Sequence, residues 1–274
     1  MVKKTHIDLT LPSGRHYRDS SVTTTAKLAP SEILALGAAR PTPATGRSDP
    51  PGHRPIRAQP PLDEYYNSLF TSLGPQYWWP GQTPFEIIVG AILTQNTAWT
   101  NVELAIRNLR AAGLLSPGAI ERASLPRLES LVRSSGYFRQ KARKLKAFCQ
   151  FLRREYRGSL RRMFETPTME LRQKLLTVFG VGPETADAIL LYAGQHPVFV
   201  VDAYTKRLLM RHGWIRENAA YEDVRWMFER HSPGNSGWFN EFHALIVNVG
   251  KNFCRRKQPL CGQCPLQRYL EEGR

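Results

Sequence analysis

Phe179-Gly180-Val181-Gly182-Pro183-Glu184-Thr185-Ala186-Asp187 joins two helix-like segments, and Val198-Phe199-Val200-Val201-Asp202-Ala203 comes soon after. Ahead of the glycines, Leu171, Leu175 and Val178 recur at helical spacing. Alternate glycines permit a tight turn and close approach of the backbone to a partner. Pro183 suits a first helical turn, where a missing N–H leaves no bond unmade. The N–H groups of Gly180, Gly182 and the helix start would then point outward together, a pattern that receives an anion such as phosphate. Taken alone, the pattern also fits an ordinary helix–helix turn.

Charge favours the anion. The chain has 38 Lys+Arg against 23 Asp+Glu, a formal net charge of +15. Such a balance suits a polyanion, nucleic acid ahead of an acidic membrane surface. No apolar run is long enough to span a bilayer, and Phe85 to Leu93 is only core-sized. A basic, merely solvated surface is the plainer alternative.

Residues 1–61 differ from the rest. Seven prolines fall between 41 and 61, with Gly, Ser, Arg and Thr among them. Such a segment has too little apolar surface to offset the entropy of ordering, so it reads as a disordered basic arm that adds non-specific affinity for nucleic acid. It lacks the apolar core of a secretory leader, while its sparse acids also fit a transit peptide. The expected location is cytoplasmic, on the nucleoid.

From Leu62 onward the pattern is helical. Leu62–Leu73, Pro84–Thr94, Asn101–Ala112, Pro117–Arg122, Pro126–Ser134, Gln140–Tyr156, Met169–Phe179, Glu184–Gly194, Ala203–Arg211, Ala220–His231 and Trp238–Phe253 show apolar spacing near 3.6. Glycines and prolines punctuate them. Val198–Val201 could form a short strand but has no clear partner. The fold class expected is all-α, with many short helices.

Cys254, Cys261 and Cys264 stand in the pattern C-x6-C-x2-C. Clustered thiols without a secretory leader suggest metal or iron–sulfur ligation rather than disulfides. Lys251, Arg255, Arg256 and Lys257 would make this segment positive. Cys149, between Phe148 and Phe151, reads as a buried structural thiol.

Together these pieces resemble the helix–hairpin–helix DNA glycosylases of the endonuclease III superfamily, nearest to the 3-methyladenine DNA glycosylase branch. The likeness covers about residues 62–269. It rests on Leu93-Thr94-Gln95-Asn96-Thr97, on Ser135-Gly136-Tyr137-Phe138-Arg139-Gln140-Lys141-Ala142, on the Gly-Val-Gly hairpin, on Val201-Asp202 and on the cysteine segment. It implies two helical lobes with DNA across the cleft. One is a six-helix lobe over 82–195 and the other combines 62–81 with 196–274.

The resemblance also assigns roles. Asp202 matches the catalytic aspartate, although bare sequence makes it an N-cap for Ala203–Arg211, and both roles can hold. A carboxylate there would stabilise a positive sugar at C1′ or orient water during N-glycosidic bond hydrolysis. Bifunctional members carry a lysine at the position of Glu184, where its amine forms a Schiff base. A carboxylate forms no imine, and Lys206 and Lys174 do not match the motif, so a monofunctional glycosylase without lyase activity is expected. Trp78, Trp79 and Trp99 match aromatic walls that stack on an extruded, electron-poor purine, although tryptophans are more often core anchors. Gln95 matches a plug for the vacated duplex position, or caps a helix. Tyr137 matches a wedge, or packs on the core. Gly180, Val181, Gly182 and Lys141 would contact DNA, and the basic run from Arg139 to Lys144 would reach phosphates or remain a solvated face.

The [4Fe–4S] loop of the family reads C-x6-C-x2-C-x5-C. The first three positions match Cys254, Cys261 and Cys264, but Leu270 stands at the fourth. A cluster would need an outside ligand, or it would be lost or labile, and zinc, which also prefers four ligands, is a weaker alternative. The implied partners are duplex DNA with a damaged base and a downstream AP endonuclease, with the chain a monomer. The alternatives are a non-catalytic damage-binding module on the same fold and a glycosylase/AP lyase of endonuclease III type.

Overall fold

The structure is a computed structural model. It describes residues 59–77, 81–231 and 234–270, all within the unit Ser48–Arg274. Nearly all of the expected N-terminal arm lies outside these residues, as do Trp78 and Trp79.

Twelve α-helices occur among the described residues. They are α1 (Leu62–Leu73), α2 (Pro84–Leu93), α3 (Trp99–Ala111), α4 (Pro117–Arg122), α5 (Leu125–Leu131), α6 (Phe138–Tyr156), α7 (Leu160–Phe164), α8 (Thr168–Leu176), α9 (Pro183–Ala188), α10 (Ala203–Arg211), α11 (Tyr221–His231) and α12 (Ser236–Asn252). A π turn, Ile189–Ala193, continues α9, and 3-10 turns cover Arg133–Ser135, Cys261–Gln263 and Gln267–Tyr269.

Local chemistry sets many of the starts. Thr83, Ser116, Ser124, Ser159, Asp202 and Asn235 each accept a backbone N–H from the first turn of the following helix. Each such cap is worth about 1 kcal/mol. Pro84, Pro117 and Pro183 stand where a proline is tolerated at a helix start. The helix expected over Met169–Phe179 stops at Leu176, where the Thr177 hydroxyl donates to the Lys174 carbonyl. The short α7 had no periodic pattern long enough to read.

Val198–Val201 is buried but forms no strand. Val198 N–H donates to the His196 carbonyl (2.9 Å), and two amides further on are satisfied by side chains: Phe199 N–H donates to Glu229 (3.0 Å) and Val201 N–H to the Tyr221 hydroxyl (3.3 Å). Phe199 stacks on Phe228 with centroids 3.7 Å apart, and Phe239 and Phe242 meet its edges. This aromatic cluster carries the segment through the core and delivers Asp202 at its end. The two ends of the helical region also meet. Tyr66 of α1 stacks on Trp238 of α12, and Tyr65 bonds His212 (2.6 Å) and packs on Tyr269.

Candidate active site

Asp202 is the N-cap of α10. Its Oδ1 accepts from the Thr205 N–H (2.8 Å) and the Thr205 hydroxyl (3.0 Å). Its Oδ2 lies 3.5 Å from His243 Nε2 on α12. The Tyr192 hydroxyl meets the other ring nitrogen, Nδ1, at 2.5 Å. Burial works to raise the Asp202 carboxyl, but the His243 imidazole and the Thr205 donors hold it below the ordinary carboxylate value. Ionised Asp202 therefore offers a fixed negative charge at the mouth of α10.

Glu184 stands in the first turn of α9 and reaches solvent. Surrounding protein raises its carboxyl, the negative charge of Asp202 raises it further, and His243 and Lys206 pull it back. The two carboxylates thus differ: Asp202 is driven toward ionisation and Glu184 away from it. Lys206 Nζ is itself engaged, donating to the Ala219 carbonyl (2.9 Å). Lys174 pairs with Glu170 on the surface of α8.

The hairpin is braced from behind. Gln95 Nε2 donates to the Gly180 carbonyl (3.1 Å) and to Thr185 Oγ1 (2.8 Å), and its Oε1 accepts from Lys144 Nζ. The Gln95 amide is therefore turned onto the hairpin in this structure. Gly180 has φ +78° and the stem of Lys144 lies where a Cβ would go, so position 180 requires glycine on both counts. Val181 does not offer its N–H outward, since that group donates to the Val178 carbonyl (3.0 Å) and the side chain is buried. Gly182 caps α9 without a side chain.

Lys141 departs from the sequence expectation. Its side chain is buried and Nζ donates to the Ser135 carbonyl, so it braces the turn before α6 rather than presenting charge to a phosphate. That turn ends in Tyr137, which is 72% exposed at φ 43°. A bulky residue held in the left-handed region and left in solvent is strained. It does not pack on the core.

Trp99 lines a cavity of about 240 Å³ with Gln82, Glu86, Glu103, Arg107 and Arg110. Its indole N–H donates to Glu103 (2.8 Å), and Arg110 pairs with Glu86 (2.7 Å). Asp202, Glu184 and His243 are absent from that lining, so this cavity does not bring Trp99 together with the carboxylates.

Cys254, Cys261 and Cys264 line one small space with Leu208, Val249, Phe253 and Leu270. Arg211 donates to Cys254 Sγ (3.1 Å), and burial raises the Cys264 thiol, with the other two cysteines adding to the rise. No group of three or more His, Cys, Asp or Glu side chains among the described residues is disposed to hold a metal ion. Three thiols with leucine at the fourth corner do not fit a four-ligand cluster or zinc. Cys149 is buried, and burial pushes its thiol up to about 12.

Residues 89–233, more than half of the chain, match the family described as HhH-GPD superfamily base excision DNA repair protein. The chain belongs to that superfamily. A protein of Methanocaldococcus jannaschii, provisionally named a DNA repair glycosylase, is 45% identical over 206 residues, covering 74% of this chain and 93% of that one. Endonuclease III of Thermotoga maritima is 26% identical, covering 69% and 83%. The solved 3-methyladenine DNA glycosylase of H. pylori, bound to 1,N6-ethenoadenine, is 28% identical with a TM-score of 0.61, covering 69% and 97%. The all-α HhH-GPD fold is thereby shown. Neither the endonuclease III likeness nor the 3-methyladenine likeness stands above the other.

His243, Tyr192 and Thr205 had no place in the site read from sequence, and Lys144, expected to reach phosphates or remain a solvated face, backs the hairpin through Gln95 instead. His243 lies 51 residues from Tyr192 on a helix with an apolar pattern, where nothing marks it. Thr205 alone was legible, three residues after a capping aspartate.

Proposed function

We propose that the chain is a monofunctional DNA N-glycosylase of base excision repair, acting on alkylated purines flipped from duplex DNA. The observation that carries this reading is the pair of carboxylates. Asp202 is held toward ionisation, the state a developing C1′ cation would need beside it, and by the family resemblance Glu184 occupies the lysine position of bifunctional members, where a carboxylate forms no imine. In this reading Asp202 stabilises the sugar cation or orients water, and Trp78 and Trp79 supply the aromatic surroundings of the base, while Trp99 stays in its own cavity, bonded to Glu103. Tyr137 enters the duplex, and its exposure and strain support that role. Gln95 leaves the hairpin to meet the estranged base, while Gly180 and Gly182 approach a phosphate. The lobes are 82–195 and 62–81 with 196–274, the chain acts as a monomer near the nucleoid, and an AP endonuclease takes over the abasic product. No step runs through an iron–sulfur cluster.

A second reading, a glycosylase with AP lyase activity, is favoured by the relative named endonuclease III. Its amine would be Lys206, one turn into α10 from Asp202 and near enough to act on the Glu184 charge. A non-catalytic damage-binding module would keep the hairpin without using Asp202.

An end-labelled duplex methylated on its purines separates these. Breaks that appear only after hot alkali support the monofunctional reading. Breaks without alkali, together with a borohydride-trapped adduct lost in Lys206→Ala, overturn it in favour of the lyase. Binding without breaks in either lane supports the module.

A further inference from the structure

The turn Ile189–Ala193 is a π turn set between α9 and Gly194. One extra residue in a helical turn rotates the residues downstream of it by about 100°. Such insertions recur at functional sites. Here the rotated segment holds Tyr192, which is buried and aims its hydroxyl at His243 Nδ1. His243 is also buried, with Phe199 against its ring edge.

We propose that Tyr192 and His243 are positioning residues that aim the Asp202 carboxylate, in a chain running from hydroxyl to imidazole to Oδ2. This rests on Asp202 being the catalytic carboxylate. The two carboxylate oxygens have different neighbours. Oδ1 is occupied by the Thr205 cap, while Oδ2 faces His243 Nε2. A Tyr192 hydroxyl donating into Nδ1 leaves the imidazole proton on Nε2, directed at Oδ2. In that tautomer the ring is neutral. Its Nε2–H then orients the carboxylate. The 3.5 Å separation is long for a hydrogen bond, and such contacts tighten when substrate binds. The other charged groups facing this chain are Glu184 at the start of α9 and, beyond it, Lys206 on α10. The device differs from a hydrolase triad in that the carboxylate, not a hydroxyl, is the group being aimed.

The first test needs no substrate. Nitrogen-15 NMR of the imidazoles in the full chain, with His243 assigned by its loss in His243→Gln, reports the tautomer. The Nε2–H form at neutral pH is expected in the free protein, and Tyr192→Phe should abolish that preference. An Nδ1–H form in the unsubstituted protein would overturn the proposal.

The second test is single-turnover base release from the methylated duplex. His243→Leu is expected to slow release by about a hundredfold, the cost of a misplaced catalytic group, with DNA affinity unchanged. His243→Gln, which places an amide N–H near the Nε2 position, should recover part of the rate. Wild-type release by His243→Leu beside an inactive Asp202→Asn would sink the positioning role alone. Wild-type release by Asp202→Asn would remove the reading on which it rests. If His243→Leu fails to fold, Tyr192→Phe decides: an unaltered rate and pH profile there would overturn the proposal.

Discussion

Asp202 combines two duties that sequence could name but not weigh. As a cap it satisfies the start of α10, and as a charge it sits beside His243 and Glu184. Asparagine keeps the first duty and loses the second, because both residues cap well. Asp202→Asn should therefore keep the cap and stay folded at neutral pH, giving up only the stability that the ionised carboxyl supplies, while base release falls by about a hundred- to ten-thousand-fold. Asp202→Ala should lose the same activity and in addition about 1 kcal/mol of stability. Acid titration adds a second readout. The Asp202 carboxyl lies below its ordinary value of 3.8 in the folded chain. Its stabilising contribution is then complete above 3.8 and is lost as pH falls through the lower, folded value. Asp202→Asn should lack that part of the acid-induced loss, as denaturant melts across the acid range will show.

Elements are tied to the site through buried charge. Arg172 of α8 pairs with Asp187 of α9 (2.6 Å) and with Glu222 of α11 (2.7 Å). The Tyr221 hydroxyl donates to Asp187 (2.9 Å) and accepts from Val201 N–H, one residue before Asp202. Burial outweighs these partners and raises the Asp187 carboxyl, while the same contacts keep Arg172 firmly charged. Removing one member leaves the other without compensation. Arg172→Leu should cost about 3–5 kcal/mol of stability by chemical denaturation. Replacing the exposed Lys174 should cost little, since its surface pair with Glu170 is screened by water. The turn before α6 has its own buried charge. Burial, with the neighbouring Lys144 charge, pushes Lys141 down from 10.5 to about 8. Between those values the unfolded chain holds a proton that the folded chain has released, so stability rises with pH across the window. Lys141→Met should flatten that rise, and a profile indistinguishable from the parent would remove Lys141 as the titrating group.

At the scale of the whole molecule, a net charge of +15 on a chain of the HhH-GPD superfamily predicts that binding to duplex DNA is largely electrostatic. Binding of the full chain to undamaged duplex should weaken by about a thousandfold or more between roughly 50 and 200 mM salt. A shallow slope measured by fluorescence anisotropy would show that the excess charge does not meet phosphates. The helices, their caps and the hairpin were legible in sequence because each is local: apolar period, a capping oxygen, a proline at the helix start, two glycines at a turn. The superfamily emerged from those local motifs in combination. Lys141 misled because an amphipathic helix with a basic run does not say which lysine turns inward. Val198–Val201 misled because its apolar run resembles a strand, and only Glu229 and Tyr221, from α11, show where its amides go. The thiol spacing suggested ligation, but whether three sulfurs converge depends on how Arg211 and Leu270 pack around them. Sequence by itself determined the helical fold, the hairpin and the places of Asp202 and Glu184 at the starts of α10 and α9, since these are properties of neighbouring residues. Tertiary structure alone decided that Tyr192 meets His243, that His243 lies beside Asp202 and that Gln95 and Lys144 back the hairpin. Those contacts join residues far apart in the chain, and their geometry is set by packing rather than by pattern.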